Sequence, residues 1–106
     1  PRPTRRDGAA SSSDREARRR RTQSERRLKR AQVAREKRIG DLEQRIGDRE
    51  REIREIENTM AAPGFYDDRE IAQPVVNRHE SLMWEVGDLM SQWEAMQQHD
   101  GEDAEG

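Results

Sequence analysis

The sequence predicts an all-α fold, an antiparallel two-helix coiled-coil hairpin with disordered termini. Only 29% of the 106 residues are hydrophobic and 42% are charged, which is too little apolar surface for a thick globular core. Apolar residues recur at heptad spacing in two separate segments. Between those segments stands one strong stop signal, residues 61–68 (AAPGFYDD). Two helices that each present one apolar stripe, joined by a turn, are typical of a hairpin.

The ends of the chain have the composition of disordered segments. Residues 1–13 (PRPTRRDGAASSS) are rich in Pro, Gly and Ser, and residues 99–106 (HDGEDAEG) are acidic and contain two glycines. We therefore expect a disordered linker, a coiled-coil hairpin over 14–98 and an acidic disordered tail. Within the hairpin, the predicted elements are a helix over 14–60, a turn over 61–67 and a helix over 68–98.

The first helix carries a regular apolar seam only in its second half. Strong helix formers fill the segment from Asp14 onward, and no proline interrupts it before Pro63. Arg49 falls on a core position, where we expect its stem to pack and its charge to stay at the edge. The remaining seam residues are Ile39, Leu42, Ile46, Ile53, Ile56 and Met60.

The turn combines helix-stop and helix-start chemistry. Pro63 cannot continue the preceding helix, and Gly64 can adopt the left-handed conformation of a helix end. Asp67-x-x-Glu70 reads as a capping box, and Tyr66 with Ile71 reads as a hydrophobic staple. These features favour a closed hairpin over a bend between two independent helices.

The second helix has a longer seam and one disruptive residue. Pro74 removes a helical hydrogen bond, which predicts a kink there or a short separate turn over 68–73. Val76, Met83 and Met90 are expected to widen the apolar stripe. The seam itself consists of Val75, His79, Leu82, Val86, Leu89, Trp93 and Met96. We expect Trp93 to be core and Trp84, which lies off the stripe, to be partly exposed.

Charge is divided sharply along the chain. Residues 1–38 hold 15 basic and 5 acidic side chains, a net charge of +10, whereas residues 39–106 hold 6 and 18, a net charge of −12. The basic half predicts binding to phosphate backbones of DNA or ribosomal RNA, because such binding needs positive charge and little geometry. No aromatic residue precedes Met60, so base stacking is not expected there. The predicted nucleic-acid-binding residues are Arg18, Arg19, Arg20, Arg21, Arg26, Arg27, Lys29, Arg30, Lys37 and Arg38. The same residues would also fit a solvated helix, or one attracted to an acidic surface elsewhere in a parent protein.

No catalytic or metal site is expected. The sequence has no G-x-x-x-x-G-K-[ST] loop, no cysteine and only two histidines, which lie far apart at His79 and His99. His79 occupies a seam position, where a structural role is expected over a ligand role. The carboxylates stand on the outer faces of helices, where they are solvated charge. We therefore predict that this chain is not an enzyme and binds no cofactor of its own.

Several stretches together resemble the C-terminal coiled-coil domain of ABC-F ATPases, the Uup type especially. They are a basic lead-in, the heptad helix DLEQRIGDREREIREIE, the turn AAPGFYDDRE and a helix closing on DLMSQWEAM, over about residues 15–97. The Phe65-Tyr66-x-Asp68 turn followed by Trp93 is the specific part. The resemblance implies a coiled-coil hairpin linked to ATP-binding cassettes of the same parent chain, which would bind ATP and Mg²⁺. It also implies DNA binding or ribosome association. Pro74 and His79 depart from the family pattern.

Two functions remain open at this point. The first is a nucleic-acid-binding accessory domain of an ABC-F-type ATPase, and the alternative is a structural or protein-interaction hairpin that positions or regulates the cassettes without binding nucleic acid. No apolar run has the roughly 20 residues of a membrane span. A cytoplasmic location and a monomeric state are expected.

Overall fold

The computed structural model describes the backbone of residues 3–105 and the side chains of residues 11–98. Over that backbone the chain forms two α-helices, α1 (Pro3–Met60) and α2 (Arg69–Glu105), joined by a turn that contains a short 3-10 helix, Phe65–Asp67. The described residues contain no strand. The all-α prediction is confirmed.

Both helices are longer than predicted. Helix α1 begins 11 residues before the expected start at residue 14, and α2 ends 7 residues after the expected end at residue 98. The side chains of residues 1–10 and 99–106 lie outside the described residues. The predicted disordered linker over 1–13 and acidic tail over 99–106 therefore stay predictions.

The chain divides into two compact units, Pro1–Glu36 and Lys37–Gly106. In the first, the described part is helical throughout. All its side chains from residue 11 onward are exposed, except Ala17 and Arg35, which are half-buried. Strong helix formers favour this helix. The Thr22 hydroxyl donates to the Arg18 carbonyl at 2.9 Å, so its polar group is satisfied within the helix without adding to helix stability.

The core of the second unit is the predicted coiled-coil seam. Ile53 of α1 packs with Leu82 and Val86 of α2, and Ile56 lies against them. Leu42 and Leu82 are completely buried. The other predicted seam residues with described side chains are half-buried. Ala72 is also buried, three residues before Val75, at a position that was not predicted to belong to the seam.

Polar contacts across the two helices fix an antiparallel arrangement. As numbers rise along α1, the partner numbers fall along α2, because Arg38 contacts Gln92, Arg49 contacts Glu85 and Glu52 contacts Arg78. The Arg78 Nε and Nη2 atoms donate to one Glu52 carboxylate oxygen at 3.1 and 2.8 Å. The Arg49 side chain is half-buried, as predicted for its packed stem. Its Nε lies 3.2 Å from Glu85 Oε2, close enough for an ion pair but not aligned for a hydrogen bond.

The turn reverses the chain through a left-handed glycine. Gly64 has φ +79°, and it is the one residue of the described backbone with a positive φ. The Phe65 amide donates to the Ala62 carbonyl at 3.2 Å, and the Asp67 amide donates to the Gly64 carbonyl at 3.1 Å. The predicted left-handed conformation of Gly64 is confirmed, although the residue stands directly before the 3-10 helix and not at the end of α1, which is Met60.

The start of α2 differs from the prediction by one residue. Asp67 lies inside the 3-10 helix, so Asp68 is the N-cap, and its Oδ1 accepts from the Glu70 amide at 3.1 Å. The capping box that began at Asp67 is therefore wrong. The staple is wrong too, because the shift takes Tyr66 and Ile71 out of staple positions and both side chains are exposed.

Pro74 lies inside α2 without ending it. The helix runs unbroken from Arg69, so a separate turn over 68–73 does not form. A proline at this position leaves the Glu70 carbonyl without its usual helical donor. The Gln73 side chain donates to the Asn77 side-chain oxygen at 2.9 Å and spans the proline on the helix surface.

Candidate nucleic-acid interface

All ten predicted phosphate-binding residues belong to α1, and all ten are exposed. Eight of them, from Arg18 to Arg30, lie in the first unit, whereas Lys37 and Arg38 lie in the second. The structure therefore separates the predicted site into a main segment and two outlying residues.

The arginines of the main segment point in all directions around the helix. Successive residues on an α-helix are about 100° apart, so four consecutive residues, Arg18 to Arg21, span most of the circumference. The result is a basic cylinder without a preferred face. A surface of this kind suits the sequence-independent phosphate contacts that position a protein on a duplex.

One shallow hollow on this cylinder has a lining suited to an anion. It is an open space of about 500 Å³ on the helix surface. The lining residues are Arg15, Arg18, Arg19, Thr22, Gln23 and Arg26, so cations surround it and hydrogen-bond donors lie between them. Glu16 lies 3.9 Å from Arg20 in an exposed ion pair, which contributes little in solvent.

Arg38 is held differently from the rest of the set. Its Nη2 donates to Gln92 Oε1 of α2 at 3.1 Å, so its guanidinium is oriented by the hairpin. The sequence pattern does not indicate this contact, because the two residues are 54 positions apart.

The aromatic residues all lie in the second unit. Trp84 is 71% exposed, as predicted from its position off the stripe. Trp93 is half-buried on the seam, as predicted, and its indole nitrogen is buried with no hydrogen-bond acceptor among the described residues. Phe65 and Tyr66 pack edge to face, with ring centroids 4.8 Å apart. Stacking on bases by the basic segment has no support in this arrangement.

His79 has a structural partner. Its Nε2 lies 3.2 Å from Glu57 Oε2 across the two helices. Among the described residues, no group of three or more His, Cys, Asp or Glu side chains could hold a metal ion. Neither helix, over the same residues, is long and apolar enough to cross a membrane.

The comparisons with known proteins identify the family. The family model described as "ABC transporter C-terminal domain" matches residues 30–98. The match covers more than half of the chain, and the chain belongs to this family. It confirms the resemblance to the C-terminal coiled-coil domain of ABC-F ATPases. A search of curated proteins and a search of solved structures each found no match.

The matched range covers the second unit's seam and turn but little of the basic segment. Of the ten predicted phosphate-binding residues, only Arg30, Lys37 and Arg38 fall within residues 30–98. The resemblance noted over about residues 15–97 is thus supported from residue 30 onward. Family membership alone says nothing about Arg18 to Lys29.

Proposed function

We propose that this chain is the nucleic-acid-binding accessory domain of an ABC-F-type ATPase of the Uup type. In this proposal the basic segment of α1 contacts phosphates of DNA or ribosomal RNA. The observation that carries it is the exposure of every cationic side chain from Arg18 to Arg30 around the full circumference of a helix. Release of counterions from the nucleic acid would then supply most of the affinity.

In this proposal, ATP hydrolysis takes place outside this chain. The sequence has no phosphate-cradling loop, and the described residues offer no cluster for a metal ion. ATP and Mg²⁺ would bind to the cassettes of the parent chain, which are the other expected partners. The domain itself would act by binding, in the cytoplasm, where DNA and ribosomes are both accessible.

A salt series tests the proposal. Binding of the whole chain to duplex DNA and, in parallel, to ribosomal RNA is measured by fluorescence anisotropy of the labelled nucleic acid between about 50 and 200 mM salt. If Arg18, Arg19, Arg20 and Arg21 each neutralise one phosphate, changing all four to Ala should reduce the slope of log K against log salt by about 3 to 4 for duplex DNA. Alanine preserves the helix, so the variant should keep its helical circular dichroism.

A matched variant separates local contacts from net charge. Arg45, Arg51, Arg54 and Arg69 are exposed in the second unit, and changing these four to Ala removes the same charge. This control should keep a slope close to that of the unchanged chain. Absence of binding at low salt, or equal slopes for the two variants, would contradict the proposal. Stronger binding to one of the two nucleic acids at equal salt would identify the target.

A second candidate function is a hairpin that positions or regulates the cassettes without binding nucleic acid. The observation in its favour is that the family match begins at residue 30 and leaves out most of the basic segment. If this function is correct, the chain does not bind nucleic acid at low salt, and the change of Arg18 to Arg21 to Ala does not impair the function of the domain.

A further inference from the structure

An apolar groove with an acidic rim lies between the two helices of the second unit. Ile46 of α1 and Met90 and Trp93 of α2 line the groove, which has a volume of about 250 Å³. Glu43 and Glu94, one from each helix, complete the lining, and both are exposed. Met90 remains 39% exposed, although the sequence predicted that it would join the covered stripe. This combination fits a ligand with an apolar centre and positive charge on both sides.

Two glycines leave the helix surface beside this groove without side chains. Gly47 lies one turn beyond Glu43 on α1, and Gly87 lies one turn before Met90 on α2. A Cβ atom at either position would meet nothing within 4 Å. Glycine within a helix costs about 1 kcal/mol relative to alanine, and no packing against the described residues requires it at these two positions. Another helix could therefore approach this face closely.

The first unit of the chain carries the complementary surface. Leu28 is 71% exposed, and with Ser24, Arg27 and Ala31 it borders an open space of about 390 Å³ beside the helix, into which its side chain can protrude. Arg27 and Lys29 are its neighbours in sequence, so their side chains point about 100° to either side of Leu28. The segment thus presents one apolar knob flanked by two cations. The net charges of +10 for residues 1–38 and −12 for residues 39–106 favour the same pairing.

We propose that the groove formed by Glu43, Ile46, Met90, Trp93 and Glu94 binds the Leu28 segment of a second copy of this chain. Leu28 would enter between Met90 and Trp93, while Arg27 and Lys29 would face the two glutamates on opposite walls. The contact is heterologous, since segment and groove are different surfaces, so it can continue from copy to copy. It replaces the monomer expected from the sequence with a salt-sensitive assembly. It does not rest on the proposed function, because it needs no nucleic acid.

Sedimentation velocity of the whole chain, without nucleic acid, tests this inference with two charge-reversal variants. The groove variant is Glu43→Lys with Glu94→Lys, and the segment variant is Arg27→Glu with Lys29→Glu. At low salt the unchanged chain should show a mass that rises with concentration above 12.4 kDa. Each variant alone should remain a monomer, because its segment and groove then repel each other. An equimolar mixture should form a complex of about twice the monomer mass or more, since every segment then meets a groove of opposite charge.

A control variant carries the same change in charge away from the groove. Glu55 and Glu80 are exposed, and neither lines the groove, so Glu55→Lys with Glu80→Lys should self-associate like the unchanged chain. Circular dichroism confirms that every variant is folded. An unchanged chain that stays monomeric at low salt and high concentration overturns the proposal. A mixture of the two charge-reversal variants that stays monomeric also overturns it. In that case the groove would bind a basic partner other than this chain.

Discussion

At the scale of single residues, His79 shows how a polar side chain can occupy a coiled-coil seam. Its side chain is only 23% exposed, and its contact is the largely exposed Glu57 carboxylate at 3.2 Å. A contact of this kind contributes at most about 1 kcal/mol. An apolar side chain at the same position would gain more from burial.

The change His79→Leu should therefore stabilise the protein. We expect the free energy of unfolding to rise by about 1 kcal/mol, measured by urea unfolding followed by circular dichroism. Ser81→Leu is the control, because Ser81 is exposed and its replacement improves helix propensity without adding burial. Equal effects of the two changes, or a loss of stability for His79→Leu, would show that the Glu57 contact matters more than the seam.

Trp93 is a second residue whose chemistry the sequence pattern could not reveal. The heptad places it on the seam correctly, but it does not show that the indole nitrogen is buried without an acceptor. An unsatisfied buried donor costs about 1–3 kcal/mol. Burial of the Trp93 ring therefore stabilises the seam, while its unpaired indole nitrogen offsets part of that gain. The same side chain lines the proposed groove.

At the scale of elements, the turn depends on the backbone conformation of one residue. Gly64 has φ +79°, which costs an L-residue roughly 1–2 kcal/mol, and a Cβ there would lie 3.1 Å from Asp67 Oδ2. Gly40, inside α1, has neither constraint, since a Cβ there meets nothing within 4 Å.

Two alanine substitutions should therefore have opposite signs. Gly64→Ala should lower the free energy of unfolding by roughly 1–2 kcal/mol, whereas Gly40→Ala should raise it by about 1 kcal/mol. The measurement is urea unfolding of both variants beside the unchanged chain. A gain in stability for Gly64→Ala would mean that the turn relaxes into another conformation.

The seam residues could be predicted from the sequence, but the start of α2 and the exposure of the residues beside the seam could not. Alternating steps of three and four residues identified Leu42, Ile53, Leu82 and Val86, because only residues on that stripe can face a partner helix. The start of α2 was misplaced by one residue, since Asp67 and Asp68 are both good caps and only the 3-10 turn decides between them. Burial of Met83 and Met90 was overestimated, because the pattern does not show how far a second helix covers the edge of the stripe.

The candidate sites were predictable to different degrees. The positions of Arg18 to Arg30 on an exposed helix follow from composition, since a charged helix without an apolar stripe has nothing to bury. The groove was not predictable, because Glu43 and Ile46 are separated from Met90 and Glu94 by more than 40 residues and meet only through the hairpin.

At the scale of the whole molecule, the main feature is its separated charge, since its apolar core is small. Five buried apolar side chains form the described core, whereas residues 1–38 carry a net charge of +10 and residues 39–106 a net charge of −12. Interactions of such a protein with any partner should weaken with salt, because the charges are exposed and screened. Both the proposed phosphate contacts and the proposed self-association use the basic segment, so nucleic acid should compete with a second copy for Arg27 and Lys29.

The positions of the two tryptophans allow intrinsic fluorescence to distinguish self-association from nucleic-acid binding. Trp93 lines the proposed groove, Trp84 is exposed to solvent, and the basic segment contains no fluorophore. In a Trp84→Phe variant, excitation selective for tryptophan over Tyr66 yields emission from Trp93 alone. Filling of the groove should shift that emission, because the indole surroundings become drier, while phosphate binding by Arg18 to Arg21 should leave it nearly unchanged.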